Sequence, residues 1–386
     1  MRDTSEEPQA IAAHLAQHSA TDAQARKRRP GWRDYTAFVL SSGGARGALQ
    51  VGALKALLEH GETPDVIIGT SIGSWNGAVL AMDPTERGVE KLVKVWRSLT
   101  TSRILLGWEP HLPTAAPAFA GAFVVAAIRR VTLGYPSLYG DTGLRHLFHE
   151  HLAGMRFEDT QVPFRVIASN LSTGGITVFG RGPTELALLA SAAIPGIFPP
   201  VRIAGDIFVD GGALESSSID TAIQLGARRI FVLDAGYDVT PELEDELQML
   251  LRRQSRNGRP SNAHALAVML ERTATMMGRY QLDRSIARVP PGIEVHVIRP
   301  TSTMNEAALD FDHAASWINL SYEQAKASLD RGLSLRQSAQ PTPAGAVAGA
   351  DSDASDASDD SDASDVAAAN DPERDAASGA VAQRAG

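Results

Sequence analysis

Twice near the start of the chain a short apolar run stops at glycines and passes straight into a helical pattern. Phe38-Val39-Leu40 leads into Ser42-Gly43-Gly44-Ala45-Arg46-Gly47, after which Ala48–Glu59 sets Leu49, Ala53, Leu54, Leu57 and Leu58 at helical spacing. Val66-Ile67-Ile68 leads into Gly69-Thr70-Ser71-Ile72-Gly73, and a second helical pattern follows. The runs are apolar at every position rather than at alternate ones, which marks strands covered on both faces. Strand, glycine turn and helix in that order build a mainly parallel sheet with helices on either side. Gly61 and Pro64 end the first of those helices,.

The same alternation continues downstream. Val89–Leu99 is amphipathic, with Leu92, Val93, Trp96 and Leu99 on one face. Strands are predicted over Arg165–Ser169, Ile207–Val209, Ile230–Leu233 and Glu294–Ile298, and residues 241–288 and 312–333 read as mostly helical. The predicted fold class is α/β, three layers in α/β/α order around a mainly parallel central sheet. One domain is expected over 37–335, with its motifs in 37–235. A polar tail over 1–36 precedes it. From 336 to 386 the chain is an acidic tail built on DSDASDASDDSDASD, with too little apolar surface to offset chain entropy, so disorder is expected there.

Charge and cysteine content narrow the functional classes. The chain has no cysteine, which removes disulfide scaffolds, thiolate metal sites and cysteine nucleophiles. Its net charge of −9 is concentrated at one end, since residues 351–386 hold ten acids and two arginines and the rest is close to neutral. A neutral body offers no basic face to nucleic acid, and no such partner is expected. MRDTSEEPQA puts acids where a secretory signal needs basic residues,. The run Ala115–Ile128 is fourteen residues and contains Pro117 and Gly121, short of the roughly 20 apolar residues that span a bilayer. The expectation is a cytoplasmic protein without signal peptide or transmembrane helix. The cluster Arg26-Lys27-Arg28-Arg29 admits peripheral membrane contact, worth roughly 1 kcal/mol per basic residue near anionic lipid, beside the plainer reading of a solvated tail.

Three segments carry chemistry. In Gly69-Thr70-Ser71-Ile72-Gly73 a sharp strand-to-helix turn lifts the Ser71 hydroxyl clear of the sheet edge, as a nucleophile elbow does, whereas the bland reading is a tight turn with a capping serine. Ser42–Gly47 opens a helix after a strand, so its free N–H groups make an anion site. A dinucleotide pyrophosphate would want glycine at position 42 and an acid after the second strand; the chain has Ser42 and Gly-Thr-Ser there. The other anion is a tetrahedral oxyanion formed at Ser71. Asp210-Gly211-Gly212 follows the predicted strand Ile207–Val209, where an acid can reach the same crevice or simply make an Asp-Gly turn. His146, His149 and His151 fall on one predicted helix and read as a surface helix rather than a metal site; no metal is expected.

Together these segments resemble the patatin-like phospholipases, a family of Ser-Asp dyad acyl hydrolases. The family's oxyanion segment is similar to Ser42–Gly47, its elbow to Gly69–Gly73 and its aspartate motif to Asp210–Gly212. Ser137-Leu138-Tyr139 through Leu144-Arg145, and the stretch Ser191–Pro200, also look like family segments. The resemblance implies a patatin-like fold, Ser71 as nucleophile, Asp210 as base, and an oxyanion hole at Gly43, Gly44, Ala45 and Arg46. Gly47, Gly69, Gly73, Gly211 and Gly212 would be the motif glycines. The implied substrate is a lipid or other acyl ester, with no cofactor and no metal, and the apolar stretch Phe119–Ile128 would line or cover an acyl channel or pack as a core helix. Two departures stand out: Ser42 replaces the family's usual first glycine, and Glu215-Ser216-Ser217-Ser218-Ile219 replaces the usual Asn-Asn-x-Pro. Two alternatives remain: a catalytically weak or inactive lipid-binding homologue, and an α/β-hydrolase-type esterase whose triad would draw on His264, His296 or His313.

Overall fold

Thr36–Leu40 (β1) and Val66–Thr70 (β2) are buried along their whole length, as fully covered strands must be. They run parallel, with Ala37 opposite Val66 and Leu40 opposite Gly69. The computed structural model describes residues 35–107, 132–236, 263–300 and 309–331, all within the unit Met1–Gln340. The expectations for both tails, for Phe119–Ile128 and for 241–262 lie outside the described residues.

Six further strands join the sheet: Phe164–Asn170 (β3), Gly175–Phe179 (β4), Val201–Ile203 (β5), Asp206–Asp210 (β6), Arg229–Leu233 (β7) and Glu294–Ile298 (β8). Its parallel part runs β3-β2-β1-β7-β8. The described helices are Gly47–Glu59 (α1), Ile72–Met82 (α2), Glu86–Ser98 (α3), Thr101–Leu106 (α4), Thr142–Leu152 (α5), Glu185–Ser191 (α6), Ile219–Gln224 (α7), Ala263–Ala287 (α8) and Ala314–Asp330 (α9). Alternate residues of β1 serve two cores. Phe38 and Leu40 pack with α1, α2, α3 and α9, while Ala37 and Val39 pack with Ile219 and Ala222 of α7 and Leu282 of α8. That alternation is what makes three layers, and each fully buried leucine or phenylalanine in them contributes about 1.5–3 kcal/mol.

The strand ending at Asp210 does not follow the parallel pattern. β6 is antiparallel to β3, with Asp210 opposite Ala168 and Phe208 opposite Asn170. Residues 166–170 of β3 also pair with β4, so β6 must lie along the other edge of β3. That edge belongs to β2 as far as the Thr70–Ile167 pair. β2 and β6 therefore share one lane and meet end to end, carboxyl terminus against carboxyl terminus. An antiparallel strand normally ends at the opposite rim of a sheet. This one is short and enters from beyond the end of β3, so Asp210 still finishes beside Thr70. The strands β4 and β5 were not foreseen: β4 is largely half-exposed and β5 has three residues behind Pro199-Pro200.

Candidate active site

Ser71 stands between β2 and α2 with φ 54° and ψ −124°. Among the described residues only Ala204 shares a positive φ without being glycine. Holding a side chain there costs on the order of 1–3 kcal/mol, a strain that points to function when the surroundings enforce it. Here they do. A Cβ on Gly69 would sit 2.5 Å from the Gly73 carbonyl oxygen, and one on Gly73 2.3 Å from that of Leu40. Only glycine admits the turn on both sides. The Ser71 carbonyl accepts from the Ser74 N–H at 2.9 Å and the Ser74 hydroxyl at 2.6 Å, which starts α2.

The end-to-end meeting of β2 and β6 brings the Ser71 hydroxyl onto Asp210, donating to Oδ2 at 2.5 Å. The other carboxylate oxygen, Oδ1, accepts the Gly212 N–H at 2.7 Å. Burial pushes the Asp210 carboxyl up to about 6, with the hydrogen bonds from Ser71 and Gly212 acting in the opposite direction,. Gly211 packs against β3, where a Cβ would lie 2.5 Å from the Ile167 carbonyl oxygen.

The glycine-rich segment after β1 lies over the same elbow. Gly44–Arg46 is a 3-10 turn running into α1. A Cβ on Gly43 would strike that of Ala235 at 2.4 Å, and one on Gly47 would strike Ile72 at 2.5 Å. Of the four residues expected as oxyanion donors, Arg46 is engaged elsewhere. Its N–H donates to the Gly43 carbonyl at 3.2 Å, its Nε to the Ala235 carbonyl at 3.1 Å, and its guanidinium pairs with Glu271 of α8. Ser42 sits against the aspartate loop: its N–H donates to the Ser216 carbonyl at 3.2 Å and its hydroxyl is 2.7 Å from that of Ser216.

A buried polar chain behind the turn escaped the sequence reading. Trp96 Nε1 donates to Asn76 Oδ1 at 2.8 Å, and Asn76 Nδ2 donates to the Gly47 carbonyl and to Gln50 Oε1, each at 2.9 Å. Gln50 Nε2 donates to the carbonyls of Ser41 at 2.7 Å and Leu233 at 3.2 Å. Gln50 and Asn76 are spaced like core residues of amphipathic helices, and nothing in the chain order says that they meet. Their effect is to tie the start of α1 to α2 and to the end of β7.

The histidines lie elsewhere. His146, His149 and His151 share α5, where His151 packs against Trp75. Among the described residues no cluster of three or more histidine, aspartate or glutamate side chains is placed to hold a metal ion. His296 stacks on Phe231 and His313 pairs with Asp310; neither bonds to Ser71 or Asp210. The side chain of His264 lies outside the described residues. Among the described residues no helix is long and apolar enough to cross a membrane.

A family model described as Patatin-like phospholipase matches residues 38–223. The patatin-like phospholipase domain-containing protein 7 of Rattus norvegicus is 28% identical over 202 residues, which is 52% of this chain and 13% of that protein. The lysophospholipase nte1 of an Aspergillus niger strain is 32% identical over 212 residues, 53% of this chain and 12% of that protein. The chain thus spans about an eighth of the length of these relatives. Among solved structures, a human GIVD cytosolic phospholipase A2 aligns with 86% of this chain and 64% of that one at 13% identity and a TM-score of 0.39.

Proposed function

On the match of residues 38–223 to the patatin-like phospholipase family, we propose that the protein is a serine acyl hydrolase acting on carboxylic esters of lipids through Ser71 and Asp210. The observation that carries this reading is the contact between the Ser71 hydroxyl and the Asp210 carboxylate at a strained elbow. Ser71 Oγ attacks the ester carbonyl carbon while its proton passes to Asp210 Oδ2. The oxyanion that forms takes hydrogen bonds from N–H groups of Gly43, Gly44 and Ala45, since the Arg46 N–H is held by Gly43,. Collapse breaks the ester C–O bond, and Asp210 returns the proton to the departing alcohol. Water then attacks the acyl-Ser71 ester, losing a proton to Asp210; the acyl C–Oγ bond breaks, Asp210 returns that proton to Ser71 Oγ, and the fatty acid leaves.

The elevated Asp210 carboxyl suits this work. A free carboxylate near pKa 3.9 is a weak base toward a hydroxyl, and a value of about 6 brings it closer to neutral pH,. Kinship with proteins named as phospholipase and lysophospholipase favours phospholipid or lysophospholipid as substrate, and with it peripheral contact with a membrane surface. The non-catalytic lipid binder drew support from Ser42 and from the segment after Gly212. Those two departures bond to each other and leave Ser71 on Asp210, which supports turnover.

The test is a fluorophosphonate probe, with the labelled residue located by mass spectrometry. Covalent labelling of Ser71, together with hydrolysis of a soluble acyl ester that Ser71→Ala abolishes, is the expected result. A folded protein that neither labels nor hydrolyses would overturn the proposal.

A further inference from the structure

Both members of the pair are held through their backbones by one short segment, the end of α6 and the residues after it. Ser191, at the last position of α6, is fully buried. Its hydroxyl accepts the Ser71 N–H at 2.8 Å and donates to the Ile167 carbonyl at 2.6 Å. Two residues on, the Ala193 carbonyl accepts the Asp210 N–H at 2.9 Å. Ser71 precedes α2 and its φ is positive, so its N–H points to no helical or strand partner of its own. The serine hydroxyl supplies that partner and anchors the elbow to β3 at Ile167, the last β3 residue paired with β2.

We propose that Ser191 is a positioning residue for the Ser71–Asp210 pair: its hydroxyl fixes the peptide plane before Ser71, while the same segment fixes Asp210 through Ala193. The inference rests on the reading of Ser71 and Asp210 as the reacting pair. Ser191 Oγ carries no proton to or from substrate. It acts through where the Ser71 hydroxyl sits. A hydroxyl is needed because it accepts from one backbone group and donates to another at the same time. Alanine leaves a buried N–H and a buried carbonyl without partners, and the strained turn can then relax away from Asp210.

The experiment compares wild type with Ser191→Ala and Ser191→Thr on a soluble nitrophenyl ester, reading kcat and KM separately along with the rate of fluorophosphonate labelling. Misplacement on the ångström scale can slow chemistry about 100-fold. Ser191→Ala is expected to lose about 10–100-fold in kcat and in labelling rate with KM within about twofold, and Ser191→Thr to recover most of that loss because it keeps the hydroxyl. A folded Ser191→Ala with wild-type kcat overturns the proposal, as does a threonine variant that folds and is as slow as alanine. If alanine does not fold, Ser191→Gly takes its place, and equal kcat for glycine and threonine overturns the proposal in the same way. Wild type is the control on the wider reading: absence of Ser71 labelling there refutes the hydrolase, whereas labelling of wild type and alanine at equal rates refutes only the role of Ser191.

Discussion

The hydroxyls of Ser42 and Ser216 lie 2.7 Å apart, joining the turn after β1 to the loop after Asp210. These are the two places where the chain departs from the pattern its motifs resemble, and the departures fit one another. A Cβ on Gly212 would stand 2.7 Å from Ser42 Oγ, so the hydroxyl fills the space between the two loops. Replacing either serine alone by alanine leaves its partner unpaired in a poorly solvated place. A double-mutant cycle of Ser42→Ala and Ser216→Ala, measured by urea unfolding, should show a coupling of about 1 kcal/mol. Additive losses would mean that the contact contributes nothing.

Strain at the elbow can be measured separately from chemistry. Ser71→Ala and Ser71→Gly both remove the nucleophile, and both should abolish hydrolysis of a nitrophenyl ester. They differ in backbone. At φ 54° alanine keeps the strain and glycine relieves it, at the expense of a more disordered unfolded chain. Glycine should be the more stable by about 1 kcal/mol. Equal thermal midpoints would show that the strain is no larger than the entropy glycine adds to the unfolded chain.

Asp210 should trade stability against turnover. Its carboxyl is raised to about 6 by burial, so between about pH 4 and pH 6 the folded state holds a proton that the unfolded state has lost. Stability from this group therefore falls as pH rises through that window. Asp210→Asn, neutral throughout, should be the more stable protein at pH 7, by up to about 3 kcal/mol, with the difference vanishing below pH 4. Its acyl-transfer rate should drop by about 10²–10⁴. Wild-type kcat should itself decline below pH 6 as the base is protonated. A stability gain that is absent at pH 7, or turnover that survives in the variant, would contradict the burial or the role.

A second, half-buried carboxyl gives the same sign at a higher pH. Glu215 is raised to about 7 by burial and by the charge of Asp220, and its Oε1 is buried without a hydrogen-bond partner. Its charge destabilises the fold above pH 7 and is absent below pH 4.5. Glu215→Gln should raise the thermal midpoint at pH 8 and leave it unchanged at pH 4. Urea titrations at the two pH values make the comparison, and equal shifts at both would exclude ionisation as the cause.

Histidine substitution separates a two-residue mechanism from a triad. His264→Gln, His296→Gln and His313→Gln should each leave kcat within a few-fold of wild type, because His296 and His313 bond to neither Ser71 nor Asp210. A triad histidine would cost several orders of magnitude. Collapse of kcat in any one folded variant would favour the triad.

The strands and helices that were legible in sequence share one property: their signal is local. β8 begins and ends at Glu294 and Ile298, where valines alternate with Glu294 and His296, and the runs around Phe38 and Val66 became fully buried strands, because continuous apolar residues bounded by breakers have few other solutions. The positions of Ser71 and Asp210 were legible from the glycines around them. The direction of β6 was not, because orientation depends on which edge of β3 is free, and that is settled by β4 and by the length of β2. Arg46 looked like an oxyanion donor by its place in the turn, yet Gly43, Ala235 and Glu271 engage it from within the turn, from the end of β7 and from α8. Gln50 and Asn76 carry no motif at all, and Ser191 opens a family-like stretch that says nothing of its own contacts. Their partners, backbone groups and for Gln50 and Asn76 also side chains, are brought close only by the fold.

The end-to-end meeting of β2 and β6 also makes the site depend on long-range pairing. Ser71 and its partner are separated by 139 positions in the chain, and their contact requires β2 and β6 both to be paired with β3. Local elements form early and long-range pairings late, because loop-closure entropy has to be overcome first. In a chain without that pairing the Ser71 hydroxyl lacks its Asp210 partner. On the proposed mechanism, hydrolysis therefore requires the β5–β6 hairpin to be docked along β3, so the same pairing that completes the sheet also completes the site.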